Sequence, residues 1–188
     1  MSAGRRAGLF FLIRSDLLAK AGWLYGDTTP RSVVKTILTD GTFAMLVYRL
    51  MQASQDLGLT PFSMVFNKLN GTLGGCIIGR GADFGPAFVL IHSNGIVING
   101  SVRGGSDIKL EHQVTIGAER SKSPVLGNDI FVGAGAKIMG PVTIGSRVRI
   151  GANAVVIADV PDGATAVGVP ARNIPEKRPE IPMGTDAG

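Results

Sequence analysis

Cysteine, tryptophan and histidine are nearly absent from this sequence, which holds one Cys, one Trp and two His. A lone Cys76 cannot close an intrachain disulfide or join a multi-Cys zinc site, and a buried, inert thiol in a reducing cytoplasm is the expectation. Two histidines cannot supply three imidazole ligands to a metal within one subunit, so no metal cofactor is expected. Aromatics are 6% and charged residues 18% of the chain, below the ~25% charge of an ordinary soluble domain. The net charge of +5 is modest and its Lys and Arg are scattered, so nucleic acid is not an expected partner. No apolar run approaches the ~20 residues that span a bilayer. The stretch "RRAGLFFLI" resembles a signal peptide, but it stops at Arg14 with no small-residue cleavage site behind it. The chain is read as cytoplasmic, with peripheral contact to the inner membrane left open.

Glycine, by contrast, is abundant at 27 residues, which implies tight and repeated turning. The chain divides by period. From about residue 9 to 70 apolar residues recur at helical spacing, among them Val34, Ile37 and Leu38, then Met45, Leu46, Tyr48, Leu50 and Met51. The Met and aromatic positions here are read as core. Thr29 followed by Pro30 reads as an N-cap and first helical position, and Gly58, Thr60 and Pro61 separate a last helix ending near Asn70. From Ile78 on, the period is six: Ile78, Phe84, Leu90, Ile96, Val102, Ile108, Val114, then Leu126, Val132, Ile138, Ile144, Ile150 and Val156. Only Arg120 breaks the register, inside the polar run "AERSKS", which predicts a loop leaving the repeat. Gly follows the register residue at 79, 85, 127, 133, 145 and 151.

Each hexad is then one short strand plus a corner, and three hexads make one coil of a left-handed parallel β-helix whose aliphatic residues stack inward. Glycine is expected at corners needing positive φ. Residues 1–72 are assigned to an N-terminal helical segment, 73–174 to the β-helix and 175–188 to a flexible tail.

Both histidines fall in the repeat. His92, in "VLIHSNGIVI", stands two places past the register residue Leu90 and should face outward at a corner. His112, in "IKLEHQVTIG", stands four places past Ile108, where small inward residues are usual.

The runs "IHSNGIVINGS", "VTIGA" and "VGAGAKIMGPVTIGSRVRIGANAVVIADVPDGATAVGVPARNI" resemble the serine acetyltransferase family, especially its shorter polysaccharide-associated members. In the helical half, "RSDLLAKAG" and "LTDGTFAMLVYRL" are similar to their N-terminal segment. The resemblance implies transfer of an acetyl group from acetyl-CoA to a hydroxyl. It makes His92 the general base, a role that suits a group titrating near neutrality. Glu111, nineteen residues after His92 and so near the same corner one coil on, and His112, read as pocket-lining, are supporting candidates, and Asn94, Lys122 and Ser123 acceptor-side residues. Gly117, Ala118, Gly133, Ala134 and Ala152 would leave backbone amides open to the pantetheine arm, with Lys137, Arg172 and Lys177 as phosphate partners.

Three departures bear on the acceptor. The acid that orients the family's base falls on Ile77, and the acid beside the base falls on Ile91. The Arg-His pair that holds the serine carboxylate falls on Lys122 and Ser123. A zwitterion left with unpaired, desolvated charges binds poorly, so a neutral sugar hydroxyl of a surface or exopolysaccharide pathway is the expected acceptor. L-serine and a non-catalytic scaffold are the alternatives. With Ile77 unable to hold the base, a backbone carbonyl or Glu111, one coil on, is expected to do so. A homotrimer is expected, with further pairing into hexamers left open.

Overall fold

The computed structural model describes residues 7–175. Four helices come first: α1 (Leu9–Tyr25), α2 (Pro30–Ile37), α3 (Thr42–Asp56) and α4 (Thr60–Thr72). Thr29 caps α2 as anticipated, its side chain accepting from the Ser32 amide. The buried face of α2 is not its apolar one, however. Ser32 and Thr36 are buried while Val34, Ile37 and Leu38 are exposed. Hydroxyls explain the choice: Thr36 donates to the Ser32 carbonyl, and Thr39 and Thr42 both donate to the Thr36 carbonyl, so the hidden face is closed by hydrogen bonds.

The remainder is a left-handed parallel β-helix of about four turns with three faces. Face one carries Ile77–Ile78, Val97–Ile98, Thr115–Gly117, Lys137–Met139 and Val155–Val156. Face two carries Asp83–Phe84, Arg103–Gly104, Val125–Leu126 and Thr143–Ile144. Face three carries Phe88–Leu90, Ile108–Leu110, Ile130–Val132, Arg149–Ile150 and Thr165–Val167, closed by the antiparallel Arg172–Ile174.

The pairing shows that the six-residue count, although unbroken, crosses from one inward position to another. Ile78 pairs with Ile98, twenty residues on, and Ile98 with Ile116, eighteen on. Ile116 pairs with Ile138, twenty-two on, and Ile138 with Val156, eighteen on. An extra two residues and an extra four sum to one hexad, so the register re-enters phase. The count survives in between because each hexad has two inward places: Ile96, Val102, Ile108 and Val114 are buried, as are Ile98, Leu110 and Ile116. The four extra residues form the predicted loop around Arg120, whose positive φ and that of Ser121 turn the chain between Glu119 and Lys122. The two extra residues widen the corner between Leu90 and Ile98, the one that carries His92.

Gly95, Gly135 and Gly163 take positive φ at corners as expected, but glycines 79, 85, 127, 133, 145 and 151 do not. Non-glycine residues hold left-handed φ at several corners, among them Asp107, Gln113, Asp129, Arg147 and Asn153. These glycines are needed for stacking: a Cβ on Gly133 would lie 2.6 Å from the Ala152 amide of the next coil. Gly104 is a glycine inside a ladder, because the Phe84 ring below occupies the space its Cβ would take.

Helices and coil share one core, in which Met45, Tyr48 and Met51 of α3 join the coil's aliphatic ladders. A buried ion pair adds direction to this contact. Arg49 of α3 donates to both carboxylate oxygens of Asp16 in α1, at 2.7 and 2.9 Å, and to the Phe84 and Gly85 carbonyls. Asp16 in turn accepts from the Phe88 amide at 2.9 Å. Burial pushes the Asp16 carboxyl above its ordinary range, against the pull of Arg49. A satisfied pair of this kind fixes how the lobe sits on the coil, since slippage would strand two charges out of water.

Candidate active site

His92 sits on the widened corner with its side chain about half exposed, facing outward as its position predicts. Its Nδ1 lies 3.2 Å from Oδ2 of Asp40, a residue of the turn between α2 and α3. This corrects the expectation of a backbone carbonyl or Glu111 as the partner. The acid comes from the helical lobe, 52 residues earlier in the chain. Glu111 lies instead beside His112, Oε2 to Nδ1 at 3.6 Å, and the His112 ring stands edge-on to His92 with centroids 6.1 Å apart. His112 is about half exposed, so it is not one of the inward small-residue positions.

Asp40 is held from several sides. Lys20 of α1, fully buried, donates to the backbone carbonyl of Asp40 and, at 2.8 Å, to that of Leu90. One ammonium thus ties the lobe's turn to the strand leading into the His92 corner. Gly41 follows with φ +75°, and any Cβ there would overlap the Leu90 carbonyl oxygen, so only glycine lets the turn approach this closely. Burial brings the Lys20 amine down to about 8, with Asp40 opposing the shift. The His92 corner is tied in turn to the end of the lobe, the Gly95 amide donating to the Gly75 carbonyl at 2.8 Å.

Between lobe and corner opens a cavity of about 530 Å³. Leu38, Asp40, Phe43, Leu73, His92 and Asn94 are among its lining residues, and among the described residues no Lys or Arg lines it. A base, a carboxylate and neutral polar groups on an apolar rim suit a small hydroxyl-bearing molecule.

The other residues singled out in the sequence divide between two edges of face one. His92, Asn94, Glu111, His112, Gly133, Ala134 and Ala152 run down one edge, linked coil to coil: Gln113 donates to the Asn94 carbonyl, Gly135 to His112, and Asn153 to Ala134. Gly117, Ala118, Lys122 and Ser123 lie at the opposite edge, where Ser123 meets Ser101 and Asn99. The structure therefore does not bring Lys122 and Ser123 into the His92 cavity of the same chain. Lys137 lies between the edges and donates to the Gln113 and Gly135 carbonyls. Arg172 is exposed on the closing strand, and Lys177 lies outside the described residues. Cys76 is buried, which pushes its thiol up to about 12, and the described residues hold no cluster suited to a metal ion. No described helix is long and apolar enough to cross a membrane.

Comparison with known proteins gives one answer at three levels. Residues 123–158 match the bacterial transferase hexapeptide family of six repeats. A serine acetyltransferase of Helicobacter pylori strain J99 is 38% identical over 146 residues, covering 76% of this chain and 85% of the relative. One from Mycobacterium tuberculosis is 34% identical over 143 residues, 74% of this chain and 62% of the relative. Among solved structures, the Neisseria gonorrhoeae serine acetyltransferase superposes with a TM-score of 0.81 at 26% identity, covering 91% of this chain and 68% of that one. A serine acetyltransferase in complex with CoA superposes at 0.80 with 25% identity, covering 88% and 69%. The chain belongs to the serine acetyltransferase family of hexapeptide-repeat transferases and is an acyl-CoA-dependent O-acetyltransferase.

Proposed function

We propose that the chain acetylates the hydroxyl of L-serine with acetyl-CoA, His92 acting as general base. The relatives' names support serine over the sugar hydroxyl anticipated from the coil alone. The sugar expectation rested on Ile77 and Ile91 in place of two acids and on Lys122 and Ser123 in place of the pair that holds the serine carboxylate. The observation that carries the present reading is the carboxylate of Asp40 at the mouth of the His92 cavity. It offers an ammonium group a counter-charge and would repel an anionic acceptor. In the reaction Nε2 of His92 takes the hydroxyl proton as the oxygen attacks the thioester carbonyl. The new C–O bond gives a tetrahedral oxyanion, the C–S bond breaks, and the imidazolium returns the proton to the departing CoA thiolate.

CoA is read along face one below His92, past the small residues Ala134 and Ala152 and with Arg172 at the adenine end; the Gly133 amide, expected to be open, donates instead to the Ile150 carbonyl of the next coil. Lys137 spends two of its three N–H donors on the Gln113 and Gly135 carbonyls and keeps one for a phosphate. Because Lys122 and Ser123 occupy the far edge of the same face, a homotrimer that sets one protomer's His92 edge against its neighbour's Lys122 loop would complete the acceptor site and meet the serine carboxylate. Use of acetyl-CoA as donor supports the cytoplasmic location read from the sequence. The acceptor is tested by thiol release from acetyl-CoA with L-serine and with a panel of sugars and nucleotide sugars. A higher kcat/KM for L-serine is expected. A sugar turned over better would return the acceptor to the polysaccharide reading.

A further inference from the structure

We propose that Asp40 is the positioning residue of the site: its carboxylate, delivered by the helical lobe, holds the proton on Nδ1 of His92 and leaves Nε2 as the ring's acceptor. The inference rests on the reading of His92 as base. A neutral imidazole has one N–H and one lone pair, and a general base needs the lone pair on the nitrogen that meets the hydroxyl. In water the ring favours the proton on Nε2, which would block that nitrogen. A carboxylate at Nδ1 reverses the preference and steadies the imidazolium formed on proton transfer. Asp40 stands at that nitrogen, 3.2 Å away, whereas Ile77 and Ile91 offer no charge and Glu111 lies against His112.

Exposure argues for an active part rather than a passive one. The Asp40 side chain is 81% exposed, and an exposed ion pair adds little stability, yet its backbone is held more firmly than such a pair requires. Lys20 binds the Asp40 carbonyl and Leu90 together, Gly41 closes onto Leu90, and Thr39 and Thr42 both donate to the carbonyl of Thr36. These contacts keep the turn against the strand that leads into the His92 corner, and the two extra residues of that corner give His92 its own place beside it.

Only two histidines are present, so long-range proton–nitrogen NMR on uniformly ¹⁵N-labelled protein reads both rings, and His112→Asn assigns them. At about pH 9, where imidazole is neutral, His92 is expected as the Nδ1–H tautomer in the wild type and as the Nε2–H tautomer in Asp40→Ala. Asp40→Glu should restore part of the original population. Acetyl transfer should lose roughly 10²-fold in kcat in Asp40→Ala, with KM for acetyl-CoA unchanged. A rise in serine KM alone would leave Asp40 as an ammonium site and overturn the positioning role. An unchanged tautomer with kcat within about threefold would overturn it too, and with His92→Ala inactive it would do so without touching the base assignment. Should His92→Ala remain active, the base assignment itself falls. Asp40→Asn, nearly isosteric, carries the same readouts if the alanine variant unfolds.

Discussion

At the scale of single residues, the most consequential side chain outside the cavity is Lys20, a buried cation satisfied by the carbonyls of Asp40 and Leu90. Its folded value of about 8 lies below the ordinary 10.5. Between those values the unfolded chain holds a proton that the folded chain has released, so stability gained from this group rises with pH across that window. Below pH 8 the charged form carries its full desolvation cost. Wild type and Lys20→Met should therefore differ in a pH-dependent way: the urea midpoint of the wild type, relative to that of the variant, climbs from pH 7 to pH 10. A shift of one unit is worth about 1.4 kcal/mol, so an effect of about 1–3 kcal/mol is expected. A constant difference across that range would contradict the assignment. The variant should also lose acetyl transfer at pH 7.5, because the turn carrying Asp40 loses its tie to the coil.

At the scale of elements, the β-helix was legible from the sequence because its requirement is local: an aliphatic residue must return every six places or a ladder loses a rung. What the count could not see was that Ile96 and Ile98 both point inward, so a widened corner and a lengthened loop cancelled in the period. The corner with the two extra residues is the His92 corner, hidden by the regularity that revealed the fold. Corner glycines such as Gly95, Gly135 and Gly163 take the expected positive φ, whereas the glycines that follow the register residues relieve strain between coils, which a sequence does not display because it shows only one coil at a time. Gly104→Ala tests that account. Its Cβ would overlap the Phe84 ring, which is itself stacked on Phe88 at 4.3 Å, and overpacking of this kind costs about 1–3 kcal/mol. The loss should appear as a lower denaturant midpoint with unchanged slope, and a variant as stable as the wild type would contradict it. In α2 the apolar residues suggested the buried face, but the hydroxyl ladder of Ser32, Thr36, Thr39 and Thr42 took that place.

At the scale of the whole molecule, lobe and coil act as one unit, joined by a shared core, by the Asp16–Arg49 pair and by Lys20. His92 was legible through its motif, whereas Asp40 was not. No spacing rule connects residues 52 apart, and a lone acid in an interhelical "TDG" reads as an ordinary turn. Lys122 and Ser123, separated from His92 by the width of face one, make sense when a second protomer supplies them. A trimer is accordingly expected by light scattering at micromolar concentration, and a monomer that still turns over serine would contradict the shared site. The central claim is that His92 takes the hydroxyl proton, and it is tested most directly by His92→Ala, measured for acetyl transfer and for CoA affinity by calorimetry. The account predicts a loss of ~10²–10⁴ in kcat with CoA binding within about threefold of wild type, whereas a loss below about tenfold would contradict it.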